Sequence, residues 1–483
     1  MTDGYFIGID FGTSSVKTLA VYRNGEIKKT RCAYVSADVS SFKRSLKKAL
    51  FELFKIIPKE KISAIGFSSQ VGTYILDDGT IIPWNSPAGK AETDEIKEKV
   101  TPDEFINEIS FPHPNIISYP LPRLLHIKKH YPNAVTALMP KEYFIREFTG
   151  QTVTDVFSQR GIANQVTKKY SDKLIEKFGL EKFVLPPVKA PTDKAGEVTE
   201  NAEREYGVLK GVPVYLGCND FYAGLIGMGV LNKNDVFDLS GTSEHVGAIT
   251  ENPMFDRFVS TPFLSGYATY GGTKGSGVCC SFALDNFDCK AIEKLSGANE
   301  IKDFLKTEPP IFLPYPTGER APIFDENARG VFFGISDKTD KAAMAYSVFE
   351  GVVFSVYDIY SKLGVSCNDY LVCAGGSADN RLIAALKAIL FNKKILLCNE
   401  TDVSALGAAI IAAVGNGNHE TIEEACRKTV KRSLFEIEKC DEARKILLER
   451  FAIYKDVYKN LKNDFVRFAK TNDETQTIKE ATI

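Results

Sequence analysis

The 483-residue chain has little of what marks several large protein classes. Its charges nearly cancel, with 60 lysines and arginines against 62 aspartates and glutamates, so no basic footprint is offered to nucleic acid or to an anionic membrane surface. No uninterrupted apolar run reaches the roughly eighteen residues of a bilayer-crossing helix. The amino terminus, MTDGYFIGIDFGTSS, shows no basic segment ahead of a long apolar stretch, and the chain is read as cytoplasmic. Ten cysteines are too few and too scattered for a disulfide scaffold. Only Cys279 and Cys280 are neighbours, so the paired spacing of a zinc site is missing and the thiols are read as reduced. The histidines are read as lacking metal-ligand spacing, which argues against a structural zinc or iron site. Tryptophan occurs once, at Trp84, and no low-complexity segment or flexible linker interrupts the chain.

What is present is a composition of 44% hydrophobic and 25% charged residues, in a chain longer than one core usually serves. Two domains and small-molecule partners follow as expectations. Tyr5 to Ile9 is a short β-branched and aromatic run, and Val16 to Tyr22 alternates after a Gly-Thr-Ser-Ser turn, which predicts a β-hairpin. The design returns at Val236 to Leu239, the turn Ser240-Gly241-Thr242-Ser243, and His245 to Thr250. Ser41 to Ile56 has Leu46, Leu50, Leu53 and Phe54 at helical spacing, followed by a strand over Ile62 to Ser68. Further strands are predicted at Lys210 to Leu216 and Tyr370 to Ala374, and helices at Asp220 to Gly229 and Arg381 to Phe391. An α/β chain of two similar halves results, divided near Leu231 to Asp235 into residues 1–233 and 234–470. The residues from Thr471 to 483 are polar, lack periodicity and are read as a frayed tail.

The chemistry concentrates at the hairpins. Asp10 ends a strand, and Gly12, Thr13 and Ser14 follow in a turn that can present backbone N–H groups and hydroxyl donors to phosphate oxygens. Lys17 returns on the second strand with a positive charge, and Asp10 suits a magnesium ion held through water. One such hairpin alone reads as a plain turn. Two copies, behind Asp10 and Asp238, point to a polyphosphate gripped by both, with Gly241, Thr242 and Ser243 forming the second turn.

Leu313-Pro314-Tyr315-Pro316-Thr317-Gly318-Glu319-Arg320-Ala321-Pro322, with Ala328-Arg329-Gly330 and Phe333-Gly334 behind it, closely resembles the signature of the FGGY carbohydrate kinases. The resemblance runs nearly end to end. It implies two actin-like ATPase domains of the ribonuclease H-like kind, shared with hexokinases, with a nucleotide cleft between them. It further implies an ATP- and Mg2+-dependent kinase that phosphorylates a hydroxyl of a small keto-sugar or polyol, with a xylulose-like acceptor as the first expectation. Asp220 closes Gly217-Cys218-Asn219-Asp220, which matches the family's catalytic Gly-x-x-Asp; the competing reading is a helix N-cap. A carboxylate there would orient the sugar hydroxyl and accept its proton. Gly375, Gly376, Ser377 and Asn380 resemble the family's adenosine loop, and Thr242 would contact the γ-phosphate. Asp402 to Ala413 (DVSALGAAIIAA) resembles a closing helix whose small residues serve packing.

Substrate residues depart from the pattern. Gln70 matches a family glutamine beside the sugar, with Phe221 next to the catalytic aspartate, but Val71-Gly72 follows where Met-His or Arg-Glu is common. The familiar Trp-x-Asp-x-Arg reads Trp84-Asn85-Ser86-Pro87-Ala88, so its polar pair is gone. Trp84 is either core or pocket wall, and His113 either a substitute sugar ligand or a loop residue. Ala385 and Ile389 replace a family glutamine and aspartate. Glu319 and Arg320 read as an ion pair, structural or catalytic. These losses keep open an alternative: an inactive sugar- and nucleotide-binding regulatory protein of the same fold. A homodimer is consistent with the family.

Overall fold

The computed structural model describes residues 4–112, 116–241, 244–365 and 368–481. In the first half, β1 (Tyr5–Phe11) turns into β2 (Ser15–Tyr22), and β3 (Ile27–Ala33) continues the antiparallel meander. On the other side of β1 lies β4 (Ile62–Ser69), parallel to it. β5 (Lys194–Glu197) and β6 (Pro213–Asn219) complete the order β5-β6-β4-β1-β2-β3, with β6 parallel to β4. β6 begins three residues beyond the sequence expectation because Lys210 and Gly211 are spent on a turn, where Gly211 N–H bonds the Val198 carbonyl.

Both faces of this sheet are covered, which is why β1 and β4 are almost continuously buried. Ile7, Ile9 and Phe11 pack with α1 (Val39–Leu53) through Phe42, Leu46, Leu50 and Leu53. Asp38 caps that helix by accepting from Ser41 N–H at 2.7 Å. Four further helices border the site region: α2 (Lys90–Lys99), α3 (Pro120–His130), α4 (Pro140–Thr149) and α5 (Asp220–Met228). The Val403–Gly415 helix covers the other face and packs on α5. A Cβ at Gly407 would sit 1.8 Å from the Ala223 carbonyl oxygen, so the expected close packing of this small-residue helix is what the structure has.

The second half repeats the plan. β7 (Val236–Ser240) turns into β8 (Glu244–Thr250), which pairs with β9 (Gly266–Gly272); β10 (Tyr370–Gly375) and β11 (Lys394–Cys398) add in parallel to β7. β12 (Arg432–Phe435) follows antiparallel. The strand series β3-β2-β1-β4-β6 is thus matched by β9-β8-β7-β10-β11. α6 (Lys341–Leu363) is the one helix among the described residues long and apolar enough to cross a membrane, but 83% of its apolar window is buried, as in a core helix. α7 (Arg381–Phe391) lies in the same core. α8 (Asp441–Ala481) carries helical backbone through the polar stretch after Thr471 that the sequence reads as frayed.

The chain divides into two compact units. The first runs to Leu231 and takes back Ser260–Pro262 and Asp402–Lys431; the second holds Asn232–Val259, Phe263–Thr401 and the segment from Arg432. A single cut at 233/234 would assign Asp402–Lys431 to the second half, whereas the Val403–Gly415 helix is packed against β1, β4 and α5.

Candidate active site

In the first unit, strand register fixes the chemistry at the end of β1. Asp10 lies opposite Lys17 and Phe11 opposite Val16, and the turn closes with Gly12 N–H donating to Ser15 carbonyl at 3.1 Å. Asp10 is only 2% exposed, its Oδ2 3.5 Å from Lys17 Nζ, while its buried Oδ1 has no hydrogen-bond partner. Lys17 also lies 3.6 Å from Asp402, which Arg31 (2.6 Å) and Lys29 (3.4 Å) reach as well. Burial works to raise the Asp402 carboxyl, and these three cations overcome it, holding it below its usual range.

Thr13 and Ser14 are exposed at the tip of the turn. The Thr13 hydroxyl donates its single hydrogen to Gln70 Oε1 at 3.1 Å and accepts the Trp84 indole N–H at 3.2 Å. Gln70 is itself anchored by its N–H to the Phe11 carbonyl. Thus Gln70, Thr13 and Trp84 form one chain of contacts, and Trp84 is half-buried beside the turn rather than in the core. Asn85 is exposed. The Trp84 segment is held from behind by buried Arg123 of α3, which donates to the carbonyls of Pro83 (3.0 Å) and Trp84 (2.7 Å) and to the Ser86 hydroxyl (2.8 Å).

Asp220 opens α5 but does not cap it. Asn219 takes that task, its Oδ1 accepting from Tyr222 N–H at 3.2 Å, while Asp220 Oδ1 accepts from the adjacent Phe221 N–H at 2.8 Å. The bend into this helix needs Gly217, at φ +65°, where a Cβ would stand 1.8 Å from the Phe67 carbonyl oxygen of β4. Burial, then the nearby Asp10 carboxylate, pushes the Asp220 carboxyl up to about 7 against the pull of Phe221 N–H, Arg160 and Lys17. Phe221 is buried edge-on to Tyr222, whose ring stacks on Phe157 at 4.3 Å, so it backs the site as a packed wall.

In the second unit the matching hairpin is one residue tighter: Ser240 lies opposite Glu244 and Leu239 opposite His245. Gly241 is exposed, and Thr242 and Ser243 lie outside the described residues, as does His113. Ser240 ties the turn to the expected adenosine loop, its hydroxyl donating to the Ala374 carbonyl (3.0 Å) and accepting from Ser377 N–H (3.1 Å), while its carbonyl accepts from Gly376 N–H (3.2 Å). Gly375, at φ +97°, permits this: a Cβ would stand 1.8 Å from that carbonyl oxygen. Asn380 caps α7 by accepting from Ile383 N–H at 3.1 Å.

Asp238 is not the counterpart of Asp10. It stands two places before the last pair of its hairpin where Asp10 stands one, and a shift of one residue turns a side chain to the opposite face. There it is fully buried, 2.7 Å from Lys387 Nζ, which also lies 2.6 Å from Glu244 Oε1; Ser276 completes the group by donating to Glu244 Oε2 at 2.5 Å. Burial and then the Glu244 charge raise the Asp238 carboxyl well above its usual range. Of the two carboxyls, Asp238 is thus pushed toward its protonated form, while Lys387, against the cost of burial, holds Glu244 toward its charged one.

The signature loop clasps the same region. Glu319, 3% exposed, accepts from the N–H groups of Lys274 (2.6 Å) and Arg320 (2.7 Å), and Arg320 Nη2 donates to the Thr273 carbonyl at 2.5 Å. The pair expected from sequence is thus used on backbone, and Thr273 N–H in turn bonds the Glu244 carbonyl. Burial pushes the Glu319 carboxyl up to about 7. Sequence reasoning missed Lys387, Asp402, Arg31 and Arg123. The reading that the histidines lack metal-ligand spacing is corrected at His126 and His130, which lie one turn apart on α3 and face Glu92 of α2.

A hairpin-led sheet repeated in two units, each turn backed by buried charge, is the plan of the two-domain actin-like ATPase fold. Residues 5–227 match the N-terminal domain, and residues 239–415 the C-terminal domain, of the FGGY family of carbohydrate kinases, and the chain belongs to that family. It is 25% identical to a xylulose kinase of Bacillus subtilis over 95% of this chain and 97% of that one. It is 27% identical to a xylulose kinase of Staphylococcus epidermidis over 94% and 97%. The fold superposes on the crystal structure of a gluconate kinase from Lactobacillus acidophilus with a TM-score of 0.83, at 23% identity, over 96% of this chain and 99% of that one. The chain is an ATP-dependent carbohydrate kinase, a phosphotransferase with an alcohol group as acceptor, on the two-domain actin-like ATPase fold.

Proposed function

We propose that the acceptor is a small keto-sugar, xylulose first, that Asp220 is its catalytic base, and that Asp10 carries magnesium through water. The observation that carries the base assignment is the release of Asp220 from capping: with Asn219 holding the helix, a half-buried carboxylate of raised basicity is left to orient a sugar hydroxyl and take its proton. The chain of contacts Gln70, Thr13 and Trp84 stands on the sugar side of this reading, with Asn85 and Phe221 assigned beside it.

For the nucleotide, Gly12, Thr13 and Ser14 in the first unit and Gly241, Thr242 and Ser243 in the second are assigned to phosphate, and Gly375, Gly376, Ser377 and Asn380 to adenosine. Because the Thr13 hydroxyl hydrogen is engaged by Gln70, its backbone N–H is the donor left for a phosphate oxygen. The unpartnered Oδ1 of Asp10 fits an outer-sphere magnesium ion. That ion would neutralise charge on the phosphate oxygens. Lys17 adds charge beside Asp10 and, through Asp402, is anchored to the Val403–Gly415 helix.

The test is ADP release from the purified protein against pentuloses, hexuloses, pentitols, glycerol and sugar acids. Highest kcat/KM on xylulose supports the reading. Preference for an aldonate such as gluconate replaces the substrate and leaves the base assignment standing, whereas binding of ATP and sugar without ADP release from any acceptor makes this the inactive binding protein.

A further inference from the structure

Away from the residues assigned to catalysis, α2 and α3 bring three ligand-type side chains together. His126 and His130 are four residues apart on α3, so their rings project from one face, with centroids 4.3 Å apart. Glu92, in the first turn of α2 and 3% exposed, points its carboxylate at both: Oε2 lies 3.5 Å from His126 Nδ1 and Oε1 4.0 Å from His130 Nε2. The three ligand atoms all fall within 4.8 Å of one another. They line an open cavity of about 430 Å³ together with Pro87, Gly89 and Asp94.

We propose that Glu92, His126 and His130 form a binding site for a divalent transition-metal ion of the zinc, cobalt or nickel class. Two imidazoles and one carboxylate suit these borderline ions, whereas magnesium and calcium prefer oxygen alone. Ligands about 2.0–2.2 Å from a tetrahedral ion stand roughly 3.3–3.5 Å apart. The Glu92–His126 separation already meets that, and His130, 57% exposed at its side chain, has room to close the rest. Three protein ligands leave the fourth position to water from the open cavity.

The competitor for this place is Lys129, whose ammonium lies 3.3 Å from Glu92 Oε1. Its shorter contact is to Glu95, at 2.6 Å, so it keeps a partner when a metal takes Glu92. A bound ion would staple α2 to α3. The staple lies beside the Trp84 segment, since α2 follows that segment in sequence and Arg123, one turn before His126, holds its carbonyls.

Equilibrium dialysis of the full chain against Zn2+, with the Co2+ absorption spectrum as reporter, tests the site. One ion per chain is expected at micromolar free zinc, with a tetrahedral Co2+ band and no sulfur charge-transfer band, and zinc should raise Tm. His126→Gln and His130→Gln should each weaken binding by more than about tenfold, since losing even a second partner of a ligand costs that much. Lys129→Gln should tighten it. All three positions are at least partly exposed, and unchanged circular dichroism will show that the variants fold. The assignment is overturned by zinc uptake only at millimolar concentration, by uptake unchanged in the double histidine variant, by a thiolate spectrum, or by Lys129→Gln failing to tighten binding.

Discussion

The two hairpins share a turn sequence and a topology but put their aspartates to opposite uses. In the first, Asp10 stands near the end of β1 with one oxygen uncommitted and Lys17 beside the other. In the second, Asp238 is turned under the sheet into a closed group with Lys387 and Glu244. One carboxylate keeps an oxygen open, and the other is tied into the architecture behind a turn. A repeated motif therefore establishes a repeated backbone, while the role of each residue depends on which face the strand register gives it.

The largest effect expected is on Asp220, whose charged neighbours include Asp10 and Lys17 of the first hairpin. Asp220→Asn should lower kcat by about 10²- to 10⁴-fold, the usual contribution of a general base, with ATP binding nearly unchanged. A variant keeping more than a tenth of the wild-type rate, an outcome at odds with about 10²-fold as the minimum, would refute the base assignment.

Lys387→Met separates the hairpins by stability. It strands the Glu244 charge in the core, a loss of about 3–5 kcal/mol for a broken buried pair, and a markedly lower denaturation midpoint is expected. Lys17→Met, at a position 26% exposed at its side chain, should cost far less stability and far more activity. Equal denaturation midpoints for the two would remove the contrast. At the second turn itself, Gly241→Val should crowd the backbone and raise KM for ATP; unchanged nucleotide affinity would mean that the turn does not meet phosphate.

The smallest effect is a pH shift. The Asp220 carboxyl is raised from an ordinary 3.8 to about 7, so the folded chain keeps a proton there that the unfolded chain releases. Its contribution to stability is accordingly present at low pH and lost as pH rises between those values. Activity runs the other way, because the base must be ionised: kcat/KM should climb to a plateau above about pH 7. Asp10→Asn removes a neighbouring negative charge and should move the limb of its residual activity to lower pH, whereas Asp238→Asn should leave it in place.

Much of this was legible in the residues. The spacing of Asp10 and the Gly-Thr-Ser turn, its recurrence downstream and the Leu313 to Gly334 signature were enough for the two-fold α/β plan and for the enzyme class. The different role of Asp238 was written there too, since it precedes its turn glycine by three residues and Asp10 by two. Lys387 also left a mark, as the lone charge inside the apolar run Leu382 to Phe391. The Asp402 cluster did not, because its partners Lys17, Lys29 and Arg31 are brought to it only when the chain returns to the first unit. At α5 two adjacent residues could cap, and only geometry shows that Asn219 does so. On α3 the one-turn histidine spacing was visible, but its carboxylate partner comes from another helix.

The most direct measurement sets Asp10→Asn beside Asp238→Asn in the same ADP-release assay with saturating sugar and MgATP. Turnover should collapse in the first with Tm preserved, and stay within a few-fold of wild type in the second, where burial and the Glu244 charge favour the uncharged carboxyl that an amide mimics. Full activity for Asp10→Asn, or loss of turnover in a folded Asp238→Asn protein, would contradict the division of labour between the hairpins.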